Sequence, residues 1–206
     1  MKEHHLRASP ATCHWGFFDA TLPPVLTVPS GARVTIETVS GGPDDLPPPG
    51  YYIPPELPAI HEAHKPTIGP HILTGPVAIE GAAPGDVLEV RILDIQPRPS
   101  RNPLFAGRTF GSNAAASWGF HYHDLIEEPK PREVITIFEL DTSGEPTAKA
   151  VYNYVWVPQT DPHGVVHATI DYPGVRVDHA LVTKRHHILA NVRVPARLHF
   201  GTMGLA

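Results

Sequence analysis

The stretch "GPHILTGPVAIEGAAPGDVLEVRILDI", residues 69 to 95, decides how the chain is read. Two apolar runs flank "GAAPGD", a segment rich in turn-forming residues. In the second run Val87, Glu89, Arg91 and Leu93 alternate with Leu88, Val90, Ile92 and Asp94, the two-residue period of a strand with one more apolar face. Residues 71–80 and 86–95 are therefore expected to form a strand pair. One titratable ring, His71, stands at the mouth of that pair, between Pro70 and Ile72.

The same period recurs outward in both directions. Residues 23–40 read as two strands around a Pro-Ser-Gly turn, with alternation clearest in "RVTIETV" at 33–39. Towards the C-terminus, "VITIFEL", the turn "DTSGEP" and "AKAVYNYVWVPQ" read as a hairpin. "VVHATIDY" and "HHILANVRVPARLHF" are further candidate strands. Between these lie Pro/Gly-rich stretches: residues 41–66 are expected to be a long loop, and "TFGSNAAASWGFHYHDL" at 109–125 a place for a short helix. Proline, 25 of 206 residues, disfavours helix interiors and central strands and fits short strands joined by stiff loops. The expected class is mainly β: an antiparallel β-sandwich or distorted barrel with long Pro-rich loops and little helix. One domain over residues 1–206 is expected.

Charge and composition exclude several functions. The net charge is −5, and no basic cluster offers a surface for nucleic acid or an anionic membrane. The single cysteine, Cys13, rules out an internal disulfide. No apolar run reaches membrane-spanning length, and the N-terminus lacks the apolar core of a secretory signal. A cytoplasmic protein without membrane or nucleic-acid partners is expected. There is no G-x-S-x-G elbow, no P-loop and no G-x-G-x-x-G; "HEAHK" lacks the spacing of a zincin helix.

Histidine is plentiful, 14 residues, and imidazole titrates near neutral pH. His71 is a candidate base, donor or metal ligand, held by a β framework beside a dry pocket. "CHWGFFDA" groups His14 and Asp19, a carboxylate able to orient a ring, with Trp15 and two phenylalanines expected to exclude water. Cys13 reads as a buried thiol. His121 and His123 would share a face in a strand and could give half of a metal site, with Asp124 or Glu127 nearby. His61, His64, His163, His167, His186 and His187 read as surface or turn residues.

Three blocks taken together, "HLRASPATCHWGFFDATLPPVLTVPSGARVTIETVSG", "GPHILTGPVAIEGAAPGDVLEVRILDI" and "PARLHFGTMGLA", resemble the acetamidase/formamidase family. The resemblance implies hydrolysis of short aliphatic amides to carboxylate and ammonia, a mainly-β sandwich, and self-association into a homo-oligomer. It also implies further segments beyond "FGTMG", so the domain is expected to be incomplete at its C-terminus; the alternative function is a non-catalytic assembly or binding subunit. Amide hydrolysis requires carbonyl polarisation, an attacking water and a proton for the departing nitrogen. With no nucleophile signature, the water is expected to be activated by a metal or a general base. Candidates for these roles are His71, Asp19, His14, Glu80 and His199, with the backbone N–H groups of Gly201 to Gly204 as oxyanion donors. A divalent metal such as zinc or calcium is the candidate cofactor, with His71, Asp19, His121 and His123 as candidate ligands; no organic cofactor is expected.

Overall fold

The computed structural model of the protein describes residues 3–42, 51–65, 71–115, 133–156, 175–176, 192–199 and 201–205. These residues are mostly strands, with one α-helix and one short 3-10 helix. The sheets are small and do not close into a barrel, so the mainly-β expectation holds. The described residues divide into two compact units, one drawn from Met1–Pro47, Ile53–Asp94 and Phe200–Ala206, the other from Pro48–Tyr52 and Ile95–His199.

The first unit is made of three two-stranded ladders. Strand β1 (Glu3–Leu6) runs parallel to β4 (Arg33–Ile36). Strand β2 (Cys13–Trp15) runs antiparallel to β5 (Ile72–Thr74). Strand β3 (Leu26–Val28) runs parallel to β6 (Val77–Ile79). The two strands expected in residues 23–40 both form, and the Pro-Ser-Gly turn closes with Ala32 N–H donating to the Pro29 carbonyl at 3.1 Å. They do not pair with each other, however; each finds a partner distant in sequence. Between β5 and β6 the Gly75–Pro76 peptide is cis.

The core of this unit is built from Ala8, Cys13, Val39, Leu57 and Ile60, with Ile53 and Ile72 packed against it. Cys13 is a buried free thiol, as its surroundings in the sequence indicated. Leu57 and Ile60 come from helix α1 (Glu56–Ala63), inside the stretch expected to be loop. Pro58 is tolerated because it falls in the first turn, where its missing N–H has no partner to lose. Glu56 places an acid at the helix start, favourable to the helix dipole. Leu57 and Ile60, three residues apart, share one face, and burial of that face outweighs the proline content. The helix ends where His64 turns extended and its N–H closes on the Ile60 carbonyl at 2.8 Å.

The expected strand pair of residues 71–80 and 86–95 is not formed. The tight turn is present: Asp86 N–H donates to the Ala83 carbonyl at 3.0 Å, and the Asp86 carboxylate accepts from Ala83 N–H at 2.8 Å. But β6 takes β3 as its neighbour, and no strand follows the turn before the second unit begins. Every residue from Gly81 to Asp94 is exposed. Alternation marks the segment as suited to a ladder; it does not name the partner strand.

The second unit is a five-stranded sheet, β7 (Thr109–Ala115), β8 (Glu133–Asp141), β9 (Thr147–Trp156), β10 (Val175–Arg176) and β11 (Val194–Pro195). Strands β8 and β9 are the hairpin expected from "DTSGEP". In that turn the Asp141 carboxylate accepts from both the amide and the hydroxyl of Ser143, at 3.1 and 2.7 Å, a local bond that favours turn over ladder. A bulge after Ile137 shifts the register, so that Ile137 faces Tyr152 and Phe138 faces Ala150. Residues 109–115, within the expected helix, are strand. Their Gly, Ser, Asn and Ala content carries little preference of its own, and the long edge of β8 decides the outcome. Tyr51, Phe105, Phe110 and Tyr152 form a ring cluster, and the Arg108 guanidinium lies 5.3 Å from the centroids of both Phe105 and Phe110.

Candidate functional site

Most of the residues marked by chemistry fall in the first unit, along one antiparallel ladder. Strand β2 carries Cys13, His14 and Trp15, and β5 begins at Ile72, directly after His71. The register pairs Trp15 with Ile72 and Cys13 with Thr74. Both ends of the ladder are tied: Gly75 N–H donates to the Thr12 carbonyl at 2.9 Å, and Gly16 N–H donates to the His71 carbonyl at 3.0 Å. The second bond brings His71 beside the "HWGFFD" segment. Gly16 is in the left-handed region, φ 83°, where a side chain would strain the backbone. This lets the chain turn off the strand towards Asp19.

The buried side of the ladder is a short polar relay under an apolar roof. The Cys13 thiol lies 3.5 Å from the Thr74 hydroxyl, which donates to the Glu37 carbonyl at 2.9 Å. Trp15 is buried, with its ring centroid 5.8 Å from that of His61. Phe17 and Phe18, expected to line a dry pocket, are about half exposed. His71 is exposed as well, so within the described residues its ring is not enclosed.

Three histidines of this unit have a defined tautomer. A backbone carbonyl can only accept, so the ring nitrogen beside it must carry a proton. His14 Nε2 donates to the Phe17 carbonyl at 2.8 Å. His61 Nε2 donates to the Gly41 carbonyl at 2.9 Å. His64 Nε2 donates to the Pro10 carbonyl at 2.7 Å. In the neutral ring, Nδ1 of His14 is therefore the basic atom. His71 makes no side-chain hydrogen bond or ion pair among the described residues.

Asp19 is held as a carboxylate. Its Oδ1 accepts from the Thr21 hydroxyl at 2.7 Å and the Thr21 amide at 2.8 Å. These bonds, the hydroxyl's first, keep its pKa below the ordinary value against desolvation, with the charge of His14 a smaller help. Among the described residues Asp19 makes no direct bond to a histidine ring.

The remaining candidates divide. Gly204 approaches Phe18 so closely that an added Cβ would lie 2.6 Å from the ring carbons. The Gly201–Gly204 stretch thus reaches the same segment as His14 and Asp19. Glu80 is exposed at the far end of β6, where its amide donates to the Val28 carbonyl at 2.8 Å; it makes no side-chain bond to His14, Asp19 or His71. His199 is exposed and belongs to the second unit. His121 and His123, with Asp124 and Glu127, lie outside the described residues. So do His163, His167, His186 and His187.

A divalent metal needs at least three converging donors. Among the described residues no three His, Cys, Asp or Glu side chains are so placed. These residues do not by themselves furnish a metal site, and no chemical step is derived through one. No helix among them is long and apolar enough to cross a membrane.

Sequence reasoning placed His61 on the surface or in a turn, but it sits on α1 against Trp15. The signal was available: "PPELPAIH" has prolines before an acid and Leu57 and Ile60 three apart, the marks of a helix start with one apolar face.

His14, Asp19 and His71 thus lie around one ladder, with the Gly201–Gly204 stretch reaching the same segment. Comparison with known proteins gives the family. Residues 18–206 match the acetamidase/formamidase family, and the chain belongs to that family. It is similar to a protein named acetamidase from Mycolicibacterium smegmatis, 33% identical over 107 residues. That stretch covers 51% of this chain and 23% of the relative, so the match spans about a quarter of the relative's length.

Proposed function

We propose that the chain takes part in the hydrolysis of short aliphatic amides, such as formamide or acetamide, to carboxylate and ammonia. Family membership supplies the reaction class. The observation that carries the site is the Gly16 N–H bond to the His71 carbonyl, 3.0 Å, which ties His71 to the His14–Asp19 segment.

In this reading an imidazole of His71 takes a proton from water as the water oxygen attacks the amide carbonyl carbon. The carbonyl π pair moves onto oxygen, and the backbone N–H groups of Gly201 to Gly204 receive the oxyanion. The imidazolium then gives its proton to nitrogen, the C–N bond breaks, and ammonia leaves. In the same reading Asp19, an ionised carboxylate, accepts hydrogen bonds at the edge of the site. In this reading His14, whose Nε2 donates to the Phe17 carbonyl, accepts at Nδ1 a hydrogen bond from the attacking water or the amide N–H. Self-association, implied by the resemblance, is part of the same proposal.

The test is ammonia release from formamide, acetamide and propionamide by the full-length protein and its His71→Gln and His14→Gln variants. A general base contributes about 10²–10⁴-fold. His71→Gln is expected to lower kcat by at least about 100-fold with an unchanged circular dichroism spectrum. Undiminished turnover by a folded His71→Gln protein would remove the assignment.

A further inference from the structure

The two glycines that bound the Gly201–Gly204 segment serve different ends. Gly201 lies in the left-handed region, φ 103°, and a Cβ there would meet nothing within 4 Å; it is glycine for the sake of backbone conformation. Gly204 is glycine for the sake of space. A Cβ there would lie 2.6 Å from Cδ1 and Cε1 of Phe18 and 2.7 Å from Cγ. That is about 1 Å closer than carbon atoms in contact normally come. The Phe18 ring therefore sits on the Gly204 backbone itself, within the first unit. Met203 and Leu205, on either side, are 51% and 76% exposed, so they do little to seat the segment.

Phe18 is itself held from both directions. Before it, Gly16 N–H is bonded to the His71 carbonyl, and the Phe17 carbonyl accepts from His14 Nε2 at 2.8 Å. After it, Asp19 is fixed by the hydroxyl and amide of Thr21, and Leu22 N–H donates to the Asp19 carbonyl at 3.2 Å. Yet Phe18 is 52% exposed, so core packing alone does not account for a large ring at this place.

We infer that Phe18 is a positioning residue: its ring is the platform that sets the Gly201–Gly204 backbone, and with it the oxyanion donors, against the ladder carrying His14 and His71. The inference rests on the hydrolytic reading above and deepens it. Backbone donors stabilise an oxyanion only when held within hydrogen-bond distance of the atom where charge develops. A displacement of about 1 Å at such a site can cost of the order of 10²-fold in rate. Either loss of the ring or a methyl group on Gly204 would allow or force a shift of that size. The loss falls on the charged transition state rather than on the neutral amide, so kcat should change more than KM.

The test is ammonia release from formamide and acetamide by the full chain, its Phe18→Leu, Phe18→Tyr and Gly204→Ala variants, and the Phe18→Leu/Gly204→Ala double variant. Phe18→Leu keeps an apolar side chain but removes the ring; it is expected to lower kcat at least about tenfold, with KM changed less than about threefold. Gly204→Ala is expected to act alike. Because both break one contact, the double variant should be no slower than the slower single variant, whereas independent effects would multiply. Phe18→Tyr keeps the ring and is expected to retain most of the turnover. Proton NMR reads the contact without amide: the Gly204 Hα resonances should be displaced by the ring current in the wild type and in Phe18→Tyr, and return towards ordinary glycine values in Phe18→Leu. A wild type that releases no ammonia overturns the hydrolytic reading, and the positioning role falls with it. A wild type that does release it, with Phe18→Leu equally fast, altered only in KM, or multiplicative with Gly204→Ala, overturns the positioning role alone.

Discussion

Arg108 meets both carboxylate oxygens of Glu139, Nε to Oε1 at 2.7 Å and Nη2 to Oε2 at 2.6 Å. The fork geometry uses two donors in parallel, an arrangement lysine cannot reproduce. The side chains are 41% and 23% exposed, so solvent screens part of the attraction. Arg108→Ala is expected to cost about 1–2 kcal/mol, counting the contacts with Phe105 and Phe110, and Arg108→Lys about half of that. Urea denaturation measures both.

The same pair sets a pH dependence. The hydrogen bond from Arg108 chiefly, then its charge, holds Glu139 below its ordinary value of 4.5, against desolvation. The folded state thus binds fewer protons than the unfolded one across the interval between the two pKa values. The pair's contribution is fully present above pH 4.5 and is lost as pH falls below it, through the folded pKa. Glu139→Gln is expected to flatten that part of the stability–pH curve and to lower stability at neutral pH. An unchanged acid limb in the variant would count against the assignment.

Asp19 gives a second titration with a different readout. Thr21→Val removes the hydroxyl bond, the largest cause of its lowered pKa, and is expected to move that pKa back towards the ordinary 3.8. Carboxyl-carbon NMR reads the change directly. Because the pKa of Asp19 lies below 3.8 in the wild type, the carboxylate does not titrate between about pH 5 and 7, and any fall in amide turnover there reports histidine instead.

Gly16 links backbone strain to the candidate site. Gly16→Ala must hold a left-handed conformation, at a cost of about 1–2 kcal/mol, or relax and loosen the bond to His71. The expectation is a fall in stability of that order together with lower amide turnover. Turnover lost without any change in stability would separate the two effects and point away from the strand clasp.

Ile60 is fully buried, 0% exposed, where α1 meets Ala8, Cys13 and Val39. Ile60→Ala is expected to cost about 2–5 kcal/mol, measurable by thermal or urea unfolding. A cost below about 1 kcal/mol would mean that α1 contributes little to this core.

Local information in the sequence was enough for the β8–β9 hairpin, because strand, turn and strand are consecutive and Asp141 signals the turn. It was not enough for β3, β4 and β6. Alternation identified each as a strand, but their partners lie far away in sequence, and a period of two says nothing about which edge is taken. The helix at Glu56–Ala63 was hidden by its proline content, which counts against helices except in the first turn. The site was legible in part. The structure brings His14, Asp19 and His71 to one ladder region. Glu80 and His199 were chosen by residue type; Glu80 makes no side-chain bond to His14, Asp19 or His71, and His199 belongs to the second unit. The exposure of Phe17, Phe18 and His71 depends on tertiary packing, which no local pattern encodes.

The close approach of Gly204 to Phe18 has a temporal consequence. During synthesis the first unit can assemble its ladders once residue 79 has emerged, yet its glycine-rich segment arrives only after the whole intervening sheet has been made. The second unit is therefore an insertion that can fold as a local, hairpin-led module while the first waits open. Nascent chains arrested before Gly201 should carry a folded insert and an unfinished host.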